Sequence, residues 1–117
     1  MVGQNHQIAV YIMASGRNGT LYTGVTSALW KRVQQHKLGV FEGFSKQYGC
    51  KTLVWYETHP TMLDAIGREK LIKRWPRDWK PKLIESANPQ WRDLSEGWFD
   101  LPVGPLSWMQ REGGVEV

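Results

Sequence analysis

Residues 8–25 constrain the fold more than any other stretch. Residues 8–13 form an apolar, β-branched run, residues 21–25 form a second, and Ser15-Gly16-Arg17-Asn18-Gly19 between them is turn chemistry. Asn18-Gly19 suits a two-residue type I′ turn, so the two runs are expected to pair as antiparallel strands. Side chains alternate with period two, and such a turn puts odd positions of the first strand and even positions of the second on one side. Tyr11 and Tyr22 then share a face. From the hairpin alone, ordinary strand aromatics are the simpler reading, because hairpins favour them.

At 117 residues the chain is expected to be one domain, burying about two-thirds of its unfolded surface. It shows no cleavable leader pattern and no apolar run of about 18 residues, so neither export nor membrane spanning is expected and the cytoplasm is the expected compartment. The single cysteine, Cys50, leaves no internal disulfide and no cysteine-rich zinc site, and fits a small buried residue. The net charge of +4 hides an asymmetry: residues 1–95 hold 14 Lys and Arg against 7 Asp and Glu, whereas the tail carries Glu96, Asp100, Glu112 and Glu116 against Arg111 alone. Arg68, Lys70, Lys73, Arg74, Arg77, Lys80 and Lys82 form a basic stretch interrupted by Glu69 and Asp78. On charge alone this is either a phosphate-binding surface or a solvated helix face.

Beyond the hairpin, Thr26 or Ser27 can cap a helix running through Leu29, Trp30 and Val33 to about His36, ended by Leu38-Gly39. Residues 39–50 show no period and read as a surface loop carrying Phe41, Phe44, Lys46 and Tyr48. Residues 51–57 read as a third strand. Thr61 with Asp64 makes a variant capping box for a helix to about Trp75. After Pro76, a shorter helix between Asp78 and Ser86 tolerates Pro81 only in its first turn. Asn88-Pro89 signals a turn. The order is therefore β-β-α-β-α-α, with a domain over residues 1–95 and an irregular tail over residues 96–117 in which the segment from Trp98 to Met109 can dock on the core.

Two helices carry polar residues where apolar ones are expected. In the second helix, Met62, Ala65, Ile66 and Ile72 form a stripe at 100° per residue, and Glu69 falls within it. A carboxylate there needs a partner: a metal ion, a hydrogen-bond network, or Lys73 one turn on, which periodicity alone favours slightly. In the first helix, Arg32 and His36 lie near the face of Leu29 and Val33. Turned toward the sheet, they suit an anion such as phosphate; otherwise His36 is a helix-end histidine and Arg32 extends outward. Two tyrosines on one face, an arginine and histidine one turn apart, a glutamate in an apolar stripe and a basic exterior together point to phosphodiester chemistry. A carboxylate-bound metal can neutralise a leaving oxygen, arginine can stabilise the transition state, and tyrosine can relay a proton from water. A phenol is a poor base at neutral pH unless its surroundings lower its pKa.

With Ala9-Val10-Tyr11 and Tyr22-Thr23-Gly24, ten residues between the tyrosines, and Arg32, His36 and Glu69 following in order, the chain resembles the GIY-YIG nuclease superfamily. The resemblance runs from about Gln7 to Leu94 and is closest to small stand-alone bacterial members similar to the amino-terminal domain of the excision-repair nuclease. It implies an α/β fold of the α+β kind, with a small central antiparallel three-stranded sheet flanked by helices, and one-metal hydrolysis of DNA. On it, Tyr11 is the general base or its relay, Tyr22 orients water and the scissile phosphate, and Arg32 binds the phosphate. His36 supports Tyr11, and Glu69 is the only protein ligand to Mg²⁺ or Mn²⁺, with water and substrate oxygens completing the shell. Asn88 matches the family's polar residue after the glutamate helix, although an Asn-Pro turn gives it an equal claim to a capping role. Alanine and valine in the first motif and threonine in the second depart from the family pattern. These are strand positions that point away from the tyrosines or tolerate small variation.

The leading expectation is a metal-dependent DNA endonuclease leaving a 5′-phosphate and a 3′-hydroxyl; the alternative is a non-catalytic nucleic-acid-binding module on the same fold. RNA cleavage is a third, less favoured. With no appended duplex-reading module in the sequence, single-stranded or branched DNA is the expected substrate, and no obligate protein partner is inferred. Lys46, Tyr48, Lys73, Arg74 and Asn88 are the expected substrate contacts. Phe41, Phe44 and Tyr48 can stack on unpaired bases at roughly 1–3 kcal/mol each, whereas Trp55 and Trp75 are expected to pack inside.

Overall fold

The computed structural model describes residues 7–40 and 43–99. Expectations attached to Phe41, to the Phe44 side chain and to residues 100–117 lie outside the described residues. Strands β1 (Ala9–Ala14), β2 (Leu21–Thr26) and β3 (Thr52–Thr58) form one sheet in the order β2-β1-β3, with β1 antiparallel to both neighbours. Helices α1 (Leu29–Leu38), α2 (Phe44–Gln47), α3 (Met62–Lys73) and α4 (Trp79–Ala87) complete the order. The fold is the expected α+β arrangement, with one addition. The segment read as pure loop contains α2, a single turn too short to leave a period in the sequence. No helix among the described residues is long and apolar enough to cross a membrane.

Central β1 is buried along its whole length and supplies both layers. Val10, Ile12 and Ala14 join Val54, Trp55, Ala65, Ile72, Ile84 and Trp91 on the side covered by α3 and α4, with Trp75 half-buried against them. Ala9, Tyr11 and Met13 join Leu29, Val33, Cys50 and Leu53 on the side covered by α1, with Tyr22, Leu94, Trp98 and Phe99 packed against them. The alternation follows from the two-residue period of a strand. Cys50 is buried, its Sγ donates to Thr20 O at 3.6 Å, and burial pushes its thiol pKa up.

The hairpin differs from the expected type I′ turn in a way that preserves its consequence. Ala14 pairs with Leu21, Ser15 N–H donates to Thr20 O at 2.9 Å, and Gly19 N–H donates to Gly16 O at 2.9 Å. The turn is thus centred on Arg17-Asn18, and Asn18 takes the left-handed conformation at φ 57°. A two-residue loop at Asn18-Gly19 would put Tyr11 opposite Thr26; here it lies opposite Gly24. The shift is even, so both tyrosines remain on one face.

Helix ends are fixed locally. Neither Thr26 nor Ser27 caps α1; Ala28 occupies that position without a side-chain bond, Thr26 Oγ1 accepts from Ala28 N–H, and Leu29 N–H donates to Gln7 O. At the other end Gly39, left-handed at φ 67°, and Val40 donate to His36 O and Gln35 O, a Schellman closure. Thr61 Oγ1 caps α3 by accepting from Asp64 N–H at 3.1 Å, as its sequence predicts, but α3 ends at Lys73, short of Trp75. Pro81 sits in the first turn of α4, where its missing N–H has no intrahelical partner to lose.

Two polar side chains tie the carboxyl-terminal segment to β3. The sheet register shifts between Ile12 and Met13, leaving Val54 as an extra residue in β3. Buried Asn88 donates from Nδ2 to Val54 O at 3.0 Å and to Arg92 O at 2.9 Å, and its Oδ1 accepts from Arg92 N–H. Asp93 accepts from Leu53 N–H, Ser95 N–H and Ser95 Oγ and pairs with Lys37.

Candidate active site

Tyr11 and Tyr22 meet the buried end of α1. Tyr11 Oη lies 2.8 Å from His36 Nε2, and the Tyr22 and His36 ring centroids are 5.0 Å apart. The Tyr11 ring is 6.3 Å from that of Tyr22 and 5.5 Å from that of His36. Tyr11 is 1% exposed and His36 4%. His36 thus faces the sheet and is at the same time a hydrogen-bonded residue of the last turn of α1. Arg32, one turn earlier, is half-buried.

Gly24 makes room for this cluster, a role not read from the sequence. It stands directly across from Tyr11, and a Cβ there would lie 2.5 Å from Tyr11 Oη. Any side chain would contest the space held by the phenol. The motif departures divide by face: Val10 and Thr23 lie on the side opposite the tyrosines, while Ala9 shares their face as a small residue. Thr23 is 5% exposed, and its Oγ1 has no hydrogen-bond partner among the described residues.

Burial and neighbouring charges keep Tyr11 and His36 neutral. Burial and the adjacent Tyr22 push the Tyr11 pKa far above the ordinary phenol value; Arg32 pulls it down and Glu69 adds to the rise. Burial, reinforced by Arg32, lowers the His36 pKa from 6.5 to about 4. At neutral pH the contact thus joins a phenol and a neutral imidazole, and one proton lies between Oη and Nε2, on the side the imidazole tautomer sets. Arg32 on α1 and Glu69 on α3 both act on the same phenol, although their helices cover opposite sides of the sheet.

Glu69 behaves as its place in the apolar stripe requires. Its side chain is 12% exposed, and Oε2 pairs with Lys73 Nζ at 2.7 Å. Among the described residues no three His, Cys, Asp or Glu side chains converge on a point that could hold a metal ion. One carboxylate suits a hard divalent cation that keeps most of its shell as water and substrate oxygens, and does not suit a zinc-type cage.

The other expected contacts are dispersed. Lys46 and Tyr48 are exposed in and after α2, and Arg74 is exposed at the end of α3. Asn88 commits its amide to β3 and Arg92, the capping side of its two readings.

Comparison with known proteins adds an independent line. A family model described as the GIY-YIG catalytic domain matches residues 7–82. A UPF0213 protein of Clostridium perfringens is 35% identical over 68% of this chain and 84% of its own length. One from Aeromonas salmonicida is 27% identical over 90% of this chain and 76% of its own. The solution structure of a UPF0213 protein from Bacillus halodurans, 23% identical, covers 78% of this chain and 96% of its own, with a TM-score of 0.49. With two-thirds of its length matched by the catalytic-domain model and the ordered tyrosines inside that match, the chain belongs to the GIY-YIG family, a nuclease superfamily.

Proposed function

We propose that the protein is a divalent-metal-dependent DNA endonuclease acting in the cytoplasm on single-stranded or branched DNA. The observation that carries this reading is the 2.8 Å contact between Tyr11 Oη and His36 Nε2, in a cluster where Arg32 and Glu69 act on the same phenol. With the ring proton on Nδ1, His36 Nε2 accepts the Tyr11 proton while the phenol oxygen takes one from the attacking water. The resulting hydroxide attacks phosphorus, the bond to the 3′ oxygen breaks, and that oxygen takes a proton from solvent. Concerted transfer avoids a free phenolate, which burial makes unfavourable here. Arg32 neutralises charge on the phosphoryl oxygens, and Tyr22 orients the water and phosphate. Glu69 would hold Mg²⁺ or Mn²⁺, whose contribution is charge neutralisation at the leaving oxygen. Lys46, Tyr48, Lys73 and Arg74 contact the flanking strand. Asn88 acts on substrate only indirectly, by holding the β3 bulge.

The Glu69–Lys73 ion pair favours a second reading, a nucleic-acid-binding module without catalysis. Cleavage of labelled single-stranded, duplex and branched DNA with Mg²⁺ or Mn²⁺ separates the two. The endonuclease reading expects cutting that falls by about 10²–10⁴-fold in Tyr11→Phe and is lost in Glu69→Gln. DNA left intact but bound equally by parent and variants supports the module.

A further inference from the structure

The hairpin tip and the start of α4 enclose a groove of about 680 Å³, lined by Asn18, Thr20, Leu21, Arg77, Lys80 and Trp91 among others. Among the described residues no carboxylate lines it. Neighbouring cations are already engaged: Arg68 pairs with Glu57 at 3.0 Å, Lys73 with Glu69 at 2.7 Å, and Lys82 with Asp78 at 3.9 Å. Arg77 and Lys80 form no ion pair among the described residues. Lys80 is half-buried, and burial together with the charge of Lys73 lowers its pKa. A concave site holding two uncompensated cations is favourable for an anion, which would relieve their repulsion.

Its position relates it to the candidate active site. Leu21 forms part of the wall, and the next residue, Tyr22, belongs to the tyrosine–histidine cluster on the other face of β2. Strand β2 is an edge of the sheet, so a strand of nucleic acid can pass round it from one face to the other. On the α3 side, Lys73 pairs with Glu69, and its charge acts on Lys80 in the groove. We propose that the groove between the hairpin tip and α4 is a second nucleic-acid subsite, in which Arg77 and Lys80 bind backbone phosphates of the DNA strand as it passes round the β2 edge. The proposal rests on the nucleic-acid reading of the protein but not on catalysis.

Binding of a fluorescein-labelled DNA single strand of about 15 nucleotides, in metal-free buffer between about 50 and 200 mM salt, tests it. The Arg77→Ala/Lys80→Ala double variant should bind about tenfold more weakly, and the slope of log K against log salt should fall by about 1.4, the value for two lost single-strand phosphate contacts. Lys82→Ala, on the same helix but outside the groove, should match the parent. Affinity and slope unchanged in the double variant would overturn the subsite, as would an equal loss in Lys82→Ala. A parent that fails to cut DNA with Mg²⁺, yet shows the selective loss of binding, would keep the subsite and sink the endonuclease reading. Cutting by the parent with no selective loss would do the reverse.

Discussion

The two faces of this small sheet are built from alternate residues of the same strand, yet they hold their neighbours in different ways. On the α3–α4 side, Val10, Ile12 and Ala14 enter a cluster of apolar side chains, with the buried Thr23 beside Ile12. On the α1 side, Tyr11 enters a layer that also buries His36, with Tyr22 and Arg32 half-buried beside it. Apolar contacts are non-directional and tolerate repacking, whereas a buried hydroxyl or imidazole that loses its partner carries a desolvation cost. The same chain segment therefore contributes stability on one side and a fixed proton-bearing contact on the other.

That division can be broken by one substitution on each face. Tyr11→Phe keeps the ring and removes the bond to His36, so its large effect belongs to cleavage, with a stability change near 1 kcal/mol. Ile12→Ala, one residue on and fully buried, should do the opposite. It should lower unfolding free energy by about 2–5 kcal/mol while leaving kcat near the parent value at temperatures where the variant stays folded. Urea unfolding and single-turnover cleavage on both variants read the two quantities. Similar losses of stability and rate in Ile12→Ala would show that the faces are mechanically inseparable.

A smaller effect is expected at Gly24, where the hairpin meets the phenol. The added methyl of Gly24→Ala would fall 2.5 Å from Tyr11 Oη. A buried ring flanked by Tyr22 and His36 has little freedom to withdraw, so a cost of about 1–3 kcal/mol is expected. The displaced phenol should also lose its contact with His36, which cleavage rates would register beyond the stability loss. An unperturbed Tyr11 ring resonance in the NMR spectrum of Gly24→Ala would refute the packing role.

The parity of the hairpin was legible in the sequence because alternation depends only on whether the register shift is odd or even, and the misplaced turn moved it by an even amount. The stripe containing Glu69 was legible for the analogous reason on a helix. The opposition of Gly24 to Tyr11 depended on the actual register, which the Asn18-Gly19 dipeptide misindicated. The capping side of Asn88 was legible in its Asn-Pro turn, but its bond to Val54 was hidden because the bulge there arises from pairing between distant strands. The basic stretch was visible as composition, but sorting its paired cations from Arg77 and Lys80 required placing Glu57, Glu69 and Asp78 in space.

The gentlest probe of the polar face is pH. His36 has a folded-state pKa of about 4 against an ordinary 6.5, so the unfolded chain binds its proton more readily than the folded one. By linkage, the corresponding stability is fully present above about pH 6.5 and is lost as pH falls toward 4, with a slope of at most about 1.4 kcal/mol per pH unit. Asp93 behaves as a separable control. Burial works against its charge, but hydrogen bonds from Lys37 and Ser95 outweigh that and hold its pKa below 3.8, so its contribution fades only in more acidic solution. Urea unfolding of the parent and His36→Gln across this range should show the slope between pH 6.5 and 4 reduced in the variant, while the drop in stronger acid is retained in both. The glutamine can still bond the Tyr11 hydroxyl but cannot gain a proton, so a reduced slope would isolate titration from packing. Identical slopes would mean that the buried imidazole is solvated well enough to charge in place, and the two faces would then differ less in dryness than their burial suggests.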